Sequence, residues 1–168
     1  MFGADPHVEK YSGGITMDFI AQLTAEHQDY TAKLSTLAEV IEGIRINGRG
    51  DYFTATLDDL LYVFTVDLDS HARREEDILF PRLLQEVPES PIPLMLREHQ
   101  AIREHSAAFE RGYQAWRAGQ DQAFEDWAKS ALDLRGAFST HMQKENLILF
   151  PMARRVLPPD AIAQWLAP

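Results

Sequence analysis

The sequence predicts an all-α protein, an up-down-up-down bundle of four long helices with an N-terminal arm and a short C-terminal helix. Two observations carry this prediction. Apolar residues recur at intervals of three and four over four long stretches, and no segment alternates apolar with polar residues for long enough to indicate a strand. Short connections rich in glycine or proline separate the stretches, and four amphipathic helices joined in this way pack as an up-down-up-down bundle.

The first half of the chain is predicted to contain the arm and two helices. Residues 1–15 have no sustained periodicity and include three glycines and a proline, which is typical of an arm. The first helix is predicted to begin at Thr16 and to end in the glycine-rich segment that follows it. The second helix is predicted over 51–80, and Pro81 is expected to kink or end it.

The second half repeats this arrangement. A proline-rich connection is followed by a third helix predicted over 94–116 and a fourth over 121–150. Two adjacent prolines then separate a short final helix, whose Ile162 is expected to pack on one end of the bundle. The predicted organisation is therefore an arm, a bundle domain over 16–157 and a C-terminal helix over 158–168.

Composition limits the possible functions. The 168 residues suit a single domain. A formal charge of −10 without any basic run argues against nucleic acid as a partner. The chain has no cysteine, so any metal must be bound by nitrogen and oxygen ligands. The start lacks the features of a signal peptide, and no apolar stretch reaches the length of a membrane span, so we expect a cytoplasmic protein without membrane contact. We expect it to be a monomer or a homodimer.

One motif occurs twice. Residues 70–81 read SHARREEDILFP and residues 140–151 read THMQKENLILFP, so that HxxxE is followed by LFP in both, at a spacing of 70 residues. The tripeptide Glu-His-Gln occurs at 26–28 and again at 98–100, at a spacing of 72 residues. The two halves therefore look duplicated, each with a lone histidine on its first helix and HxxxE on its second.

Helical geometry places these polar residues inside the bundle. Positions i and i+4 are separated by only about 40° around a helix, so both members of each HxxxE point to one side. The apolar stripes indicate that this side is the core. The apolar residues expected beside the polar ones are Ile20, Leu23 and Leu34 on helix one, Phe64, Leu68 and Ile78 on helix two, Leu96 and Ile102 on helix three, and Leu134, Phe138 and Ile148 on helix four.

Two carboxylates and four imidazoles in one apolar core predict bound cations. An unpaired buried carboxylate costs several kcal/mol, and metal ions compensate this directly. Two ions about 3.5–4 Å apart can be capped by imidazoles and bridged by carboxylates, and such a ligand set suits iron, manganese or zinc. A single inward histidine is more often a core residue, but four of them with two paired glutamates favour metal. The candidate metal ligands are His27, His71, Glu75, His99, His141 and Glu145.

The order H…HxxxE…H…HxxxE, with LFP after each HxxxE, resembles the hemerythrin-like HHE cation-binding domain over roughly 16–157. This resemblance implies a non-haem centre of two iron ions held by the six candidate ligands, with zinc or manganese as possible substitutes. A ferritin-like bundle would instead carry Glu-x-x-His, the reverse order. Oxygen-carrying members of the family have a fifth histidine one turn after the third-helix histidine and an aspartate on the fourth helix. Arg103 and Glu145 stand in those places, which argues against simple reversible oxygen carriage.

Two classes of function follow from the resemblance. The first is a protein that binds or senses a small diatomic ligand, oxygen or nitric oxide, at an open iron position. The second is a di-iron redox enzyme that reduces nitric oxide or peroxide, or an iron donor for repair under stress. A purely structural zinc site is a third possibility. The sequence indicates no recognition surface beyond a pocket of diatomic size.

Five further residues have open roles at this stage. His7, in the arm, could supply a missing ligand, whereas His105 points about 120° away from His99. Glu76 is expected on a solvated face, with a role as metal ligand as the alternative. Tyr30 is expected in the core, with hydrogen bonding to a ligand as the alternative. Arg103 could be an ion-paired surface residue or a cation over the metal site, where it would bind anions.

Overall fold

The protein is a bundle of four long helices followed by a short fifth one, described by a computed structural model over residues 18–164. Two long helices are uniform, and the other two contain π-helical turns but no break. Helix α1 is Phe19–Asn47, and α3 is Ile92–Arg117. Helix α2 joins the α-helical segments Asp51–Tyr62, Leu68–Arg74 and Phe80–Glu86 through the π-helical turns Val63–Asp67 and Glu75–Leu79. Helix α4 joins Phe124–Lys144 and Phe150–Val156 through the π-helical turn Glu145–Leu149. The short helix α5 is Pro159–Gln164.

Residues 18–164 contain no strand, so the prediction of an all-α bundle is confirmed. The predicted arm and the first two residues of the predicted bundle domain lie outside the described residues. Ile162 of α5 is buried against Phe19 and Ile20 at the start of α1, as expected for a helix that covers one end of the bundle.

The prediction that Pro81 ends or kinks the second helix is corrected, because α2 continues past it to Glu86. Helix α4 likewise passes Pro151 and ends at Val156, not at Phe150. A π-helical turn ends two residues before each proline. In an ordinary helix the proline ring would strike the carbonyl of residue i−4, and the wider turn accommodates the ring without ending the helix.

The core has two hydrophobic clusters with a polar layer between them. Along every long helix the residues of one cluster come before the candidate ligands and those of the other come after them, except that Met142 lies between His141 and Glu145 on α4. In α1, for example, Leu23 belongs to one cluster and Tyr30 to the other, with His27 between them. The hydrophobic burial on both sides therefore fixes the height at which the four helices present their polar side chains.

Candidate metal centre

The structure brings all six candidate ligands together in the polar layer. Each has 3 % or less of its surface exposed: His27, His71, Glu75, His99, His141 and Glu145. Their nitrogen and oxygen atoms form two groups that could each hold a metal ion, with all ligand atoms of a group within 4.8 Å of one another. One group contains His27 and His71 and the other His99 and His141, and both groups include the two glutamates.

The two glutamates lie between the two pairs of histidines. Glu75 Oε1 is 3.4 Å from Nε2 of His71, and Oε2 is 3.3 Å from Nε2 of His99. Glu145 Oε2 is 3.3 Å from Nε2 of His27, and Oε1 is 3.1 Å from Nε2 of His141. Each carboxylate thus faces one histidine of either group, which is the arrangement that a bridging carboxylate requires.

An outer hydrogen bond orients each of the HxxxE histidines. His71 donates from Nδ1 to Glu26 at 2.6 Å, and His141 donates from Nδ1 to Glu98 at 3.0 Å. Both acceptors are themselves held by a cation, Arg74 for Glu26 and Lys144 for Glu98. With the proton on Nδ1, the lone pair of Nε2 faces the bundle axis and is available to a metal.

The two lone histidines are also held by hydrogen bonds at Nδ1. The partner of each is the residue that directly follows one of the two candidate glutamates. His27 donates from Nδ1 to Asn146 at 2.9 Å, and His99 donates from Nδ1 to Glu76 at 2.7 Å. Sequence reasoning placed Glu76 on a solvated face, and this is corrected, because its carboxylate is only 21 % exposed and binds His99.

The repeated LFP sequence supplies the apolar wall of the site. Phe80 stacks on His99 with ring centroids 5.6 Å apart, and Phe150 stacks on His27 at 5.3 Å. Each phenylalanine follows the glutamate of its own helix by five residues and covers a histidine of the next repeat. The two rings therefore exclude water from the imidazoles and help to fix their planes.

The π-helical turns change which apolar residues face the core. Leu79 and Leu149 are fully buried, whereas Ile148 is 52 % exposed and Ile78 only partly buried. The expectation that Ile78 and Ile148 lie on the inward face is therefore wrong. A π-helical turn begins at each glutamate, and its smaller rotation per residue carries the fourth residue after the glutamate, and not the third, back to the axis. On α3 the expected neighbour Leu96 is also exposed, and Met95 is buried instead.

The two buried carboxylates at the bundle axis, Glu75 and Glu145, need positive charge beside them. All four carboxylate oxygens of Glu75 and Glu145 are buried without a hydrogen-bond partner. Burial raises the pKa of Glu145, but contacts with His141, His27 and His99 outweigh it and hold that pKa well below its usual range. Buried, unpaired carboxylate oxygens are costly, and a metal ion would satisfy them.

The pKa values of Glu26, His71 and His99 are shifted by the same close packing of carboxylates, imidazoles and cations. Burial would raise the pKa of Glu26, but hydrogen bonds from His71 and Arg74 lower it to about 2. Burial would lower the pKa of His71, but Glu75 and Glu26 raise it to about 9. In the same way Glu145 and Glu75 overcome burial and raise the pKa of His99 to about 10. Without metal, protons on these rings balance the glutamates.

The other residues whose roles the sequence left open lie outside the two groups of candidate ligands or outside the described residues. Arg103 is ion-paired, with Nε donating to Asp69 at 2.8 Å and Nη1 to Glu76 at 2.9 Å, so its guanidinium is engaged and not free to bind an anion over the metals. His105 belongs to neither group of candidate ligands. Tyr30 lies in the core with its ring edge on His71. His7 lies outside the described residues.

Sequence reasoning identified the six inward residues but missed their outer partners. The signal for two of them was present, because Glu26 and Glu98 stand directly before the lone histidines in both copies of Glu-His-Gln. Asn146 and Glu76 gave no such signal, because the residues differ between the repeats.

Comparison with known proteins agrees with this geometry. The family model described as hemerythrin HHE cation binding domain matches residues 18–153. No curated protein and no solved structure matches the chain significantly. None of the helices in the described part of the chain is both long and apolar enough to span a membrane.

Proposed function

The chain belongs to the hemerythrin HHE cation-binding domain family, and on this basis we propose that it is a non-haem di-iron protein that binds or senses oxygen or nitric oxide. One observation carries the proposal: two groups of two histidines and two glutamates share both glutamates. The proposed ligands are His27, His71, Glu75, His99, His141 and Glu145, with the glutamates as bridges.

The residues fit such a centre in charge and chemistry. Two carboxylates with unpaired oxygens and four imidazoles offer the mixture of nitrogen and oxygen donors that suits iron, manganese or zinc. Two divalent ions would more than compensate the two buried negative charges. When bound, iron would supply an electron donor and an affinity for diatomic ligands that the side chains alone lack.

The chain itself would orient the ligands and keep water out. Glu26, Glu98, Glu76 and Asn146 hold the four Nδ1 atoms, so each Nε2 faces inward. In the described part of the chain, two carboxylates and four imidazoles are grouped around the two candidate ion positions. This number of ligands would leave a coordination position for a small molecule. Within residues 18–164, Arg103 occupies the place of a fifth histidine and is bound to Glu76 and Asp69.

Anaerobic loading with iron followed by one equivalent of oxygen tests this function. We expect a visible absorption band that disappears when oxygen is removed and returns when it is added. Nitric oxide should give a similarly reversible spectral change. Absence of any spectral response from a protein that contains two irons would contradict the proposal.

Reduction of peroxide or nitric oxide is the second candidate. It is favoured by a cavity that reaches His71, His99 and His141 from the surface between α2 and α3. Rapid and irreversible oxidation in that experiment, together with catalytic consumption of peroxide or nitric oxide when either is added to the iron-loaded protein, would indicate this enzyme. Release of iron to an acceptor would indicate an iron donor, and a zinc-only protein without redox response would indicate a structural site.

A further inference from the structure

The cavity between α2 and α3 is larger than a diatomic ligand needs. Its volume is about 200 Å³, and the rings of His71, His99 and His141 form its inner end. Apolar side chains, among them Phe64, Leu68 and Phe138, form most of its wall. An apolar cavity of about 150 Å³ is known to hold benzene. The prediction of a pocket of diatomic size is therefore corrected to one of aromatic-ring size.

The internal duplication shows that the space is specific to one side of the bundle. Ala72 and Ser106 line the cavity. At spacings of 70 and 72 residues, their counterparts in the other repeat are Met142 and Leu34. Met142 and Leu34 are buried in the core cluster, so the equivalent positions on α4 and α1 carry large core side chains. Two small residues thus leave the cavity open where the same fold is elsewhere filled by large ones.

Ser106 contributes to this apolar space by its small size. Its side chain is 7 % exposed, and its hydroxyl has no hydrogen-bond partner. A buried hydroxyl without a partner destabilises a protein, and Leu34 shows that the fold accepts an apolar residue at the equivalent place. The hydroxyl oxygen itself is closed off even from a water-sized molecule, so the serine gives the cavity room and not a polar contact.

The charges at the wall do not favour a charged ligand. Arg103 and Asp69 both line the cavity, and they bind each other at 2.8 Å. Arg103 also binds Glu76 at 2.9 Å. Because its donors are occupied, the guanidinium has little attraction left for an anion, and the paired Asp69 has little for a cation. Glu110 also lines the cavity, but it is an exposed residue whose charge is screened by water. The buried part of the cavity is thus suited to a neutral molecule.

We propose that this cavity binds a neutral, mostly apolar organic molecule of about the size of phenol. The ring lies between α2 and α3 against the three histidines. This site goes beyond the diatomic ligand of the proposed function, and it does not depend on which metal is bound, because its walls are protein side chains.

Titration with phenol tests the site. Isothermal titration calorimetry is performed on the full chain as purified and after loading with zinc, which avoids direct reaction of phenol with iron. We expect saturable binding of one phenol per chain in both forms. Ser106→Leu and Ala72→Met, which install the residues of the other repeat, should each weaken binding at least tenfold. Ala32→Met, the same change at an exposed position of α1, should leave it unchanged.

Two further measurements separate the possible outcomes. The melting temperature of Ser106→Leu should be no lower than that of the parent, because the leucine fills space and removes an unpaired hydroxyl. An unchanged or higher melting temperature would show that weaker phenol binding is not caused by unfolding. Absence of saturable binding to the parent, or equal affinity in both filled variants, overturns the site. Metal content is measured on the same samples. A metal-loaded protein that does not bind phenol contradicts only this inference. A protein that binds phenol but cannot be loaded with metal contradicts only the proposed function.

Discussion

Glu26 accepts a hydrogen bond of 2.6 Å from Nδ1 of His71, and this contact decides which ring nitrogen faces the bundle axis. The same relationship joins Glu98 to His141 in the second repeat. A carboxylate behind a histidine ligand fixes its tautomer and orientation and increases its basicity. The residue before each lone histidine therefore serves the histidine of the neighbouring helix.

Loss of either outer carboxylate should weaken metal binding. We expect Glu26→Gln and Glu98→Gln each to lower metal affinity by about 10- to 100-fold, because the imidazole loses its charged acceptor. Competition with a chromophoric chelator measures the affinity. Glu39→Gln removes an exposed charge from α1 and should have no effect. Equal affinity in all three variants and the parent would show that these carboxylates do not support the ligands.

Removal of the metal should destabilise the protein, and more so at high pH. The pKa of His71 is raised to about 9 and that of His99 to about 10 in the metal-free fold, against about 6.5 in an unfolded chain. Groups with a raised pKa stabilise the fold fully below the unfolded value and lose this contribution as the pH rises through the folded value. Stability of the metal-free protein should therefore fall between about pH 6.5 and pH 10.

Urea unfolding at several pH values, with and without metal, measures this effect. The loaded protein should change less over the same range, because metal ions and not protons compensate the glutamates. If the metal-free and loaded proteins have the same stability at every pH, the buried glutamates do not need a metal.

The π-helical turn in α4 can be tested with two neighbouring residues. Leu149→Ala should lower the free energy of unfolding by about 2–5 kcal/mol, because Leu149 is fully buried. Ile148→Ala should change it by less than about 0.5 kcal/mol, because Ile148 is largely exposed. Chemical denaturation gives both values. A larger loss for Ile148 would mean that α4 is an ordinary α-helix at this point.

Two glycines inside helices should respond in opposite ways to alanine. A Cβ at Gly136 meets nothing within 4 Å, so Gly136→Ala should raise the free energy of unfolding by about 0.5–1 kcal/mol. A Cβ at Gly112 would lie 2.9 Å from Cβ and 3.2 Å from Cα of Trp127. Gly112→Ala should therefore lower it by about 1–3 kcal/mol. Thermal unfolding of both variants checks the pair, and stabilisation by both would indicate looser packing of α3 on α4.

The helices and the inward polar residues could be predicted from the sequence because both depend on local periodicity. The chain from His71 to Arg74 is α-helical and Glu75 is the first residue of the π-helical turn, so the separation of about 40° between positions i and i+4 still holds for this pair. The same rule failed for Ile78 and Ile148, because one wider turn shifts every later residue around the axis. No local pattern distinguishes a π-helical turn from an ordinary one at these positions.

Contacts between helices could not be predicted from spacing alone. Glu76 binds His99 across the gap between α2 and α3, and Arg103 binds Asp69 across the same gap. These partners depend on which helices are neighbours and at what height they meet. Symmetry could have suggested the cavity, since Ala72 and Met142 occupy equivalent positions in the repeats, but a difference in side-chain size reveals a space only once the surrounding side chains are placed.

The number of metal ions per chain tests the central proposal most directly. Elemental analysis of the purified protein, loaded with iron under anaerobic conditions, should give two ions per chain. His27→Ala, which alters only one of the two ligand groups, should lower that number, and a double change of Glu75 and Glu145 to alanine should abolish binding, because both groups contain both glutamates. A count near zero in the parent, or an unchanged count in the double variant, would contradict a centre bridged by Glu75 and Glu145.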